Sequence, residues 1–339
     1  MNATLADSEG ESRKEHTGRA TARAIGVVLA VFVGLLLALQ SRINGALAVA
    51  LGDSLLSAVI SFGGGLVVLL GSLVFSGRMR SGVAGVRTAL RSGRLRPWQC
   101  LGGLGGALFV VGQSLAVGVL GVALFTVGVV AGQTLSGLFV DRAGLGPGGA
   151  QAPSVPRVLG ALLAIAGAGW ASVGAVGDVG GAQLVLLVLP LLAGAAMAVQ
   201  QAVNGHVGVV ANSPFTASLV NFTAGMTALV IGWGVGLLIR GGPSGAPDNP
   251  VLYLGGLIGV VVIALSAYIV KLTGVLLFGL SMISGQLLGS MLLDVVLPVQ
   301  KAALTTSTII GCCVVLVAVG ITTVPTSRPG RPARSSVRE

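Results

Sequence analysis

Apolar positions in this chain neither alternate nor recur with an amphipathic period; they run on. Ten runs, at 24–44, 54–75, 98–118, 121–140, 157–176, 183–203, 214–239, 251–270, 274–293 and 306–324, are long enough to cross a hydrocarbon core of about 30 Å as helices. Lipid offers a peptide group no hydrogen-bond partner, so each run must satisfy its backbone internally. The expected fold is therefore all-α and integral to a membrane. Only the ends depart from the pattern. Residues 1–23 mix both charge signs and 326–339 are rich in Pro, Ser and Arg, so both read as disordered tails. Ala46-Leu47-Ala48 resembles a signal-cleavage site. The apolar run before it is too long, however, and Gln40 and Arg42 interrupt its end, so no cleavage is expected.

The ten runs are one unit written twice. Gln40-Ser41-Arg42-Ile43-Asn44-Gly45 returns 160 positions later as Gln200-Gln201-Ala202-Val203-Asn204-Gly205, and Gly34, Phe62 and Gly65 meet Gly194, Phe222 and Gly225 at the same offset. At an offset of 153, Gly102, Gly103, Gly106, Gly121, Phe125, Gly132, Gln133 and Asp141 meet Gly255, Gly256, Gly259, Gly274, Phe278, Gly285, Gln286 and Asp294. Each copy holds five runs: a first repeat over 24–176 and a second over 177–325. An odd number of crossings delivers the second copy from the opposite face, so the two five-helix halves are expected to be inverted.

Charge supports that topology. Apolar residues make up 54% of the chain and charged residues 9%, too few to cover a water-facing surface. With both termini inside, seventeen of the twenty basic residues fall on the cytoplasmic side. They are Arg13, Lys14, Arg19 and Arg23; Arg78, Arg80, Arg87, Arg91, Arg94 and Arg96; Arg142, Arg157 and Lys271; and Arg328, Arg331, Arg334 and Arg338. Arg42, Arg240 and Lys301 remain outside. This positive-inside bias predicts an N-in, C-in protein. It also accounts for the net charge of +10 without nucleic acid, since no aromatic residues interleave with the arginines as a stacking surface requires.

Ten helices in two inverted halves, with Gln40, Asn44 and Gly45 before Ser61-Phe62-Gly63-Gly64-Gly65 and Gln200, Asn204 and Gly205 before Asn221-Phe222-Thr223-Ala224-Gly225, resemble the drug/metabolite transporter superfamily. Within it the chain is most similar to fused, two-unit members of the YdcZ-type inner-membrane exporters, with an EamA-like fold. The resemblance spans about 24–324. It implies alternating access around a central cavity shared by both halves, and it implies no particular substrate.

Amides inside apolar runs are the main candidate chemistry. An unpaired amide in hydrocarbon costs several kcal/mol, so such residues should face the bundle interior or a wet cavity. Gln133 and Gln286 lie roughly 16 Å into their runs, near the midplane. Inversion brings only a midplane position to the same depth twice, so both are candidate substrate ligands; an interhelical hydrogen bond is the plainer alternative. Gln113, Ser61 and Asn221 are further candidates for the same interior. Gln40 with Asn44, and Gln200 with Asn204, share helix faces near opposite membrane surfaces and could act as paired gates. For the two asparagines the favoured reading is a helix-ending Asn-Gly cap.

Carboxylates are scarce, ten in all, and none lies at the middle of a run. The repeat-related Asp141 and Asp294 stand at run ends, where they read as helix-end anchors and, failing that, as the residues available for proton coupling. The buried glutamate on which small multidrug exporters of the superfamily depend has no counterpart here. Cys100, Cys312 and Cys313 form no metal or disulfide spacing, and Cys312-Cys313 reads as apolar filling. No catalytic residues, metal site or cofactor are expected, and the chain is not read as an enzyme. The expected partners are a small-molecule substrate and the lipid bilayer, with homodimerisation left open. A composition rich in Val, Gly, Ala and Arg suggests a bacterial inner (plasma) membrane. The two functions in contention are a secondary transporter of a metabolite or drug-like solute, as exporter or facilitator, and a non-transporting scaffold or accessory subunit on the same fold.

Overall fold

In the computed structural model the described residues are 2–172, 185–240, 245, 247–296 and 306–324. They form helices α1 Asn2–Leu51, α2 Ser54–Phe75, α3 Gly77–Arg91, α4 Gly103–Arg142, α5 Val155–Ser172, α6 Val188–Val210, α7 Pro214–Arg240, α8 Gly255–Thr273, α9 Val275–Val296 and α10 Thr306–Thr323. Short 3₁₀ turns at Pro97–Cys100 and Pro250–Tyr253 precede α4 and α8 at repeat-related places. Among the described residues, seven helical segments are long and apolar enough to cross a membrane, and Gly103–Gln113, Val155–Trp170 and Ile309–Thr323 are shorter apolar helices.

Several expectations are corrected. The charged segment 1–23, expected to be disordered, is helical from Asn2 onward as the start of α1; 326–339 lies outside the described residues. The runs at 98–118 and 121–140, expected as separate helices, form one helical element, α4. It is not straight. Phe109 and Phe125 stack edge-on with ring centroids 5.7 Å apart, whereas sixteen residues of straight helix would separate them by about 24 Å. Along α6, Gly105 meets Ala196 and Gly112 meets Leu189; beyond the bend Gly128 meets Pro190 and Ser136 bonds Ala195 O. The first limb therefore runs antiparallel to α6 and the second parallel to it. In the other half the same reversal is a clean break at Gly274, whose φ of 79° suits a residue without a side chain.

The arginine-rich segment 76–97 is not simply a loop. It holds α3, capped at Ser76, whose Oγ accepts from Met79 N. Met79, Gly82, Val86 and Ala89, three or four residues apart, are buried, with Val86 and Ala89 packed on the α6–α7 corner with Val207, Ala211 and Ala217. Arg78, Arg80, Arg87 and Arg91 all point outward. An apolar stripe under a cationic face is the pattern of a helix lying along a surface.

The two halves are related by exchange. A Cβ on Gly34 would collide with Met282 O of α9, and one on Gly194 with Val129 O of α4; Gly285 similarly meets Val31 O and Gly132 meets Leu191 O. Each pair maps onto the other when first-helix positions shift by 160 and glycine-helix positions by 153. Applying the exchange twice returns every contact to itself, so the relation is two-fold. Phe62 and its own counterpart Phe222 meet across it, with ring centroids 5.0 Å apart. Glycine permits this closeness where lipid supplies no hydrophobic force to press helices together.

Candidate functional site

The exchange brings the repeated amides of each half against the glycine helix of the other. Gln200 Oε1 accepts from Gly106 N at 2.7 Å. That amide lies in the first turn of α4, where backbone donors lack intrahelical partners, so the glutamine caps the helix of the opposite half. Gln40 holds the equivalent place beside Gly259, with its Oε1 buried and unpartnered. Asn204 Nδ2 donates to Asn221 Oδ1 at 2.9 Å. In the first half Ser61 stands where Asn221 stands in the second, and Asn44 Oδ1 is buried without a partner. The Gln200 end is thus stitched by side-chain amides more completely than the Gln40 end.

The expectation that Asn44-Gly45 and Asn204-Gly205 end their helices is overturned. The first helix continues to Leu51 and α6 to Val210, leaving both pairs inside helices. Apolar run length placed these helix ends too early because the runs fade before the hydrogen-bonded turns do.

Gln133 is buried against α6 and α9 and lies beside Gly279. Gln286, half-buried on α9, packs its backbone on Gly34 of α1. Val130 and its counterpart Ile283 share one buried cluster, and each glutamine stands three residues beyond its member of that pair. The two are two-fold related but lie to either side of the α4–α9 crossing. Gln113 is exposed on the first limb of α4, which sets it apart from the interior residues Ser61 and Asn221. Sequence reasoning passed over Gln201, buried and facing Gly279 beside Gln133; its neighbour Gln200 carries the repeat, whereas position 201 matches only Ser41.

Asp141 is buried and serves as a cap at a distance. Its carboxylate accepts from Val275 N at 2.7 Å and Leu276 N at 3.0 Å, the opening amides of α9, and pairs with Arg157. Arg157 also donates to Gln151. A negative group at a helix start is stabilised by the dipole and by the free N–H groups there. The anchor reading of Asp141 fits this geometry, although the anchor sits inside the protein and not at the lipid surface. Asp294 belongs to the last turn of α9; its side chain lies outside the described residues. Cys312 is buried as expected of apolar filling, whereas Cys313 is exposed. Among the described residues no group of three or more His, Cys, Asp or Glu side chains is placed to hold a metal.

A shallow, open groove of about 340 Å³ runs between the first limb of α4 and α6, with Trp98, Leu101, Leu104 and Leu108 of its lining exposed. Trp98, Leu101, Leu104, Leu108 and Val199 line it, with Gln200 at its polar point. Gly105 helps to leave this space; at the matching place of the other half stands Ile258, packed on the core. The groove lies toward the end of α6 that carries α3 and its arginines.

These features define a multi-pass, all-helical membrane protein whose two halves interlock by exchange. Residues 25–169 and 185–321 each match the family model described as "Putative inner membrane exporter, YdcZ". The chain belongs to this family, as a fused two-unit member of the drug/metabolite transporter type, and so among membrane transporters. Fifteen solved chains match it. One of them, a structure described only as "Crystal structure of protein", superposes with a TM-score of 0.57 over 89% of this chain and 96% of that one, at 20% identity. At that identity the likeness concerns the fold. No curated protein matches the chain.

Proposed function

We infer that the protein is a secondary transporter of a small metabolite or drug-like solute, an exporter or facilitator working by alternating access in a bacterial plasma membrane. The observation that carries this reading is the exchanged pairing of Gln40 with Gly259 and Gln200 with Gly106. It sets a repeat-related glutamine of each half against the glycine helix of the other, hydrogen-bonded at Gln200 and without that bond at Gln40, an asymmetry expected of two gates of which one is closed. The topology belongs to the same proposal: ten crossings, counting the limbs of α4 separately, in inverted halves over 24–176 and 177–325 with both termini in the cytoplasm. The interior candidates are Gln133, Gln286, Ser61 and Asn221.

The test is flux of a metabolite panel in proteoliposomes, with and without imposed proton and sodium gradients. Protein-dependent flux of at least one solute is expected; its absence across the panel would leave the scaffold reading. Coupling is tested in the same vesicles. The carboxylate of Asp141 is already engaged by Arg157 and by two backbone amides of α9, which is an anchoring role. Flux and its pH dependence should therefore survive Asp141→Asn combined with Asp294→Asn in the protein that still inserts. Loss of uphill accumulation with downhill exchange intact would instead make the aspartates the coupling groups.

A further inference from the structure

We propose that the groove between α4 and α6, with the arginines beside its mouth, is a site for one anionic phospholipid, its phosphate on Arg94 and Arg96 and an acyl chain in the groove. Such a site needs only a folded chain in a bilayer, so it does not rest on the transport reading. Segment 76–97 carries six arginines and no Asp or Glu, and all six arginines are exposed. The ion pair found among the described residues, Arg157 with Asp141, lies elsewhere. Topology explains the sign of this charge, but an irregular loop would serve topology equally well. Here four of the arginines ride on α3, whose buried stripe lays the helix along the protein surface.

The groove begins where that charge stops. Leu95 and Cys100 pack in the same cluster as Val86 and Ala89 of α3, and between them Arg96 and Trp98 are exposed. Arg96 N donates to Gln99 Oε1 at 2.8 Å, which holds the 3₁₀ turn at Pro97–Cys100 and with it Trp98 at the mouth of the groove. Tryptophan settles at the headgroup level of a bilayer, where the phosphates are. From there the groove descends along α6 from Val203 to Ala196. That is about 10 Å of helix, a third of a hydrocarbon core of about 30 Å.

The lining selects the class. Leu101, Leu104, Leu108, Val199 and Val203 offer no side-chain hydrogen bond, and Gln200 Oε1 is already taken by Gly106 N. A polar solute would be stripped of water there with little in return, whereas a hydrocarbon chain loses nothing. Nor does the chain gain much over bulk lipid, because lipid tails are as apolar as leucine. Preference must come from the headgroup, drawn by arginines at the membrane surface. At the matching place of the other half Ile258, packed on the core, stands for Gly105, and segment 240–250 carries one arginine, offset by Asp248. One lipid per chain is therefore expected, seated against helices of both halves.

Trp98 makes the test optical. With Trp170→Phe and Trp233→Phe it is the sole tryptophan of the full chain, and it lines the groove. The protein is reconstituted in phosphatidylcholine with increasing phosphatidylglycerol brominated on its acyl chains, or with brominated phosphatidylcholine instead; bromine quenches a tryptophan that it touches. Half-quenching should need about twentyfold less of the anionic lipid. That preference should fall about fivefold with Arg94→Gln and vanish when Arg96→Gln is added. The same reporter at the matching place of the other half, Val251→Trp with Trp98→Phe, should show no preference. Ala196→Leu fills the groove while keeping every arginine, and should abolish the preference at Trp98. If that variant fails to fold, the exposed arginine pair carries the test alone. Inorganic phosphate and glycerol phosphate should not reverse the quenching. The proposal is overturned if both lipids quench alike, if the preference survives the arginine pair or the filled groove, or if it recurs at 251. Reversal by the free phosphates overturns it too, by making the site one for a soluble anion. No step measures flux, so a lipid preference without transport would spare the site, and transport without a preference would spare the transport reading.

Discussion

At Gly34, Gly194, Gly132 and Gly285 the backbone of one half lies against carbonyls of the other. A methyl group at any of them must push two helices apart, and overpacking of this kind costs about 1–3 kcal/mol. Gly194→Ala should therefore lower thermal stability in detergent, whereas Gly64→Ala, with nothing within 4 Å of the added carbon, should not. Equal midpoints for the two variants would remove the close-approach account. The residues most legible in the sequence were amides, because an amide within an apolar run stands out and its cost in lipid gives it meaning. Gln201 was hidden by its neighbour: repetition points to what the halves share, and this residue marks where they differ. Gly279 had no visible signal, since its importance lies in the space it leaves for side chains from two other helices.

Among elements, α4 and the pair α8–α9 are the same hairpin made in two ways. Cysteines at 109 and 125, in a chain lacking Cys100, Cys312 and Cys313, should be joined within the molecule by a short bismaleimide. No such linkage would form if α4 were straight. The apolar runs announced both limbs of α4 but not their continuity, because Gly121 permits a break without requiring one. The helix α3 escaped the reading for a different reason: its arginines dominate the composition, while the buried stripe at Met79, Gly82, Val86 and Ala89 is short and broken by a glycine. At the α4–α9 junction, Asp141→Asn leaves Arg157 buried beside a neutral partner, and breaking a buried pair in this way costs about 3–5 kcal/mol. A large drop in melting midpoint is expected, partly recovered when Arg157→Met is added. Full stability of the single variant would show that the ion pair contributes little beyond the cap.

For the whole molecule the decisive measurement is sidedness. Single cysteines in 76–97 should resist an impermeant maleimide on intact cells and those in 240–250 should react, because the first segment carries six arginines and the second one. The opposite labelling would overturn the orientation. The doubled architecture was legible because it is written as spaced repeats; the exchange of partners between halves was not, since a repeat states which residues correspond and not which ones touch.

That exchange bears on how the protein is made. Gly34 lies on α1, which is synthesised before every other described helix, yet its packing partner Gly285 follows about 250 residues later. At about 5–20 residues per second, the first helix waits some 12–50 s in the bilayer with its close-packing face against lipid. Until its own α9 is made, any second newborn chain carrying a finished α9 could take that face instead. Crowding of nascent chains on one messenger should thus favour swapped dimers, with each α1 seated on its neighbour's α9.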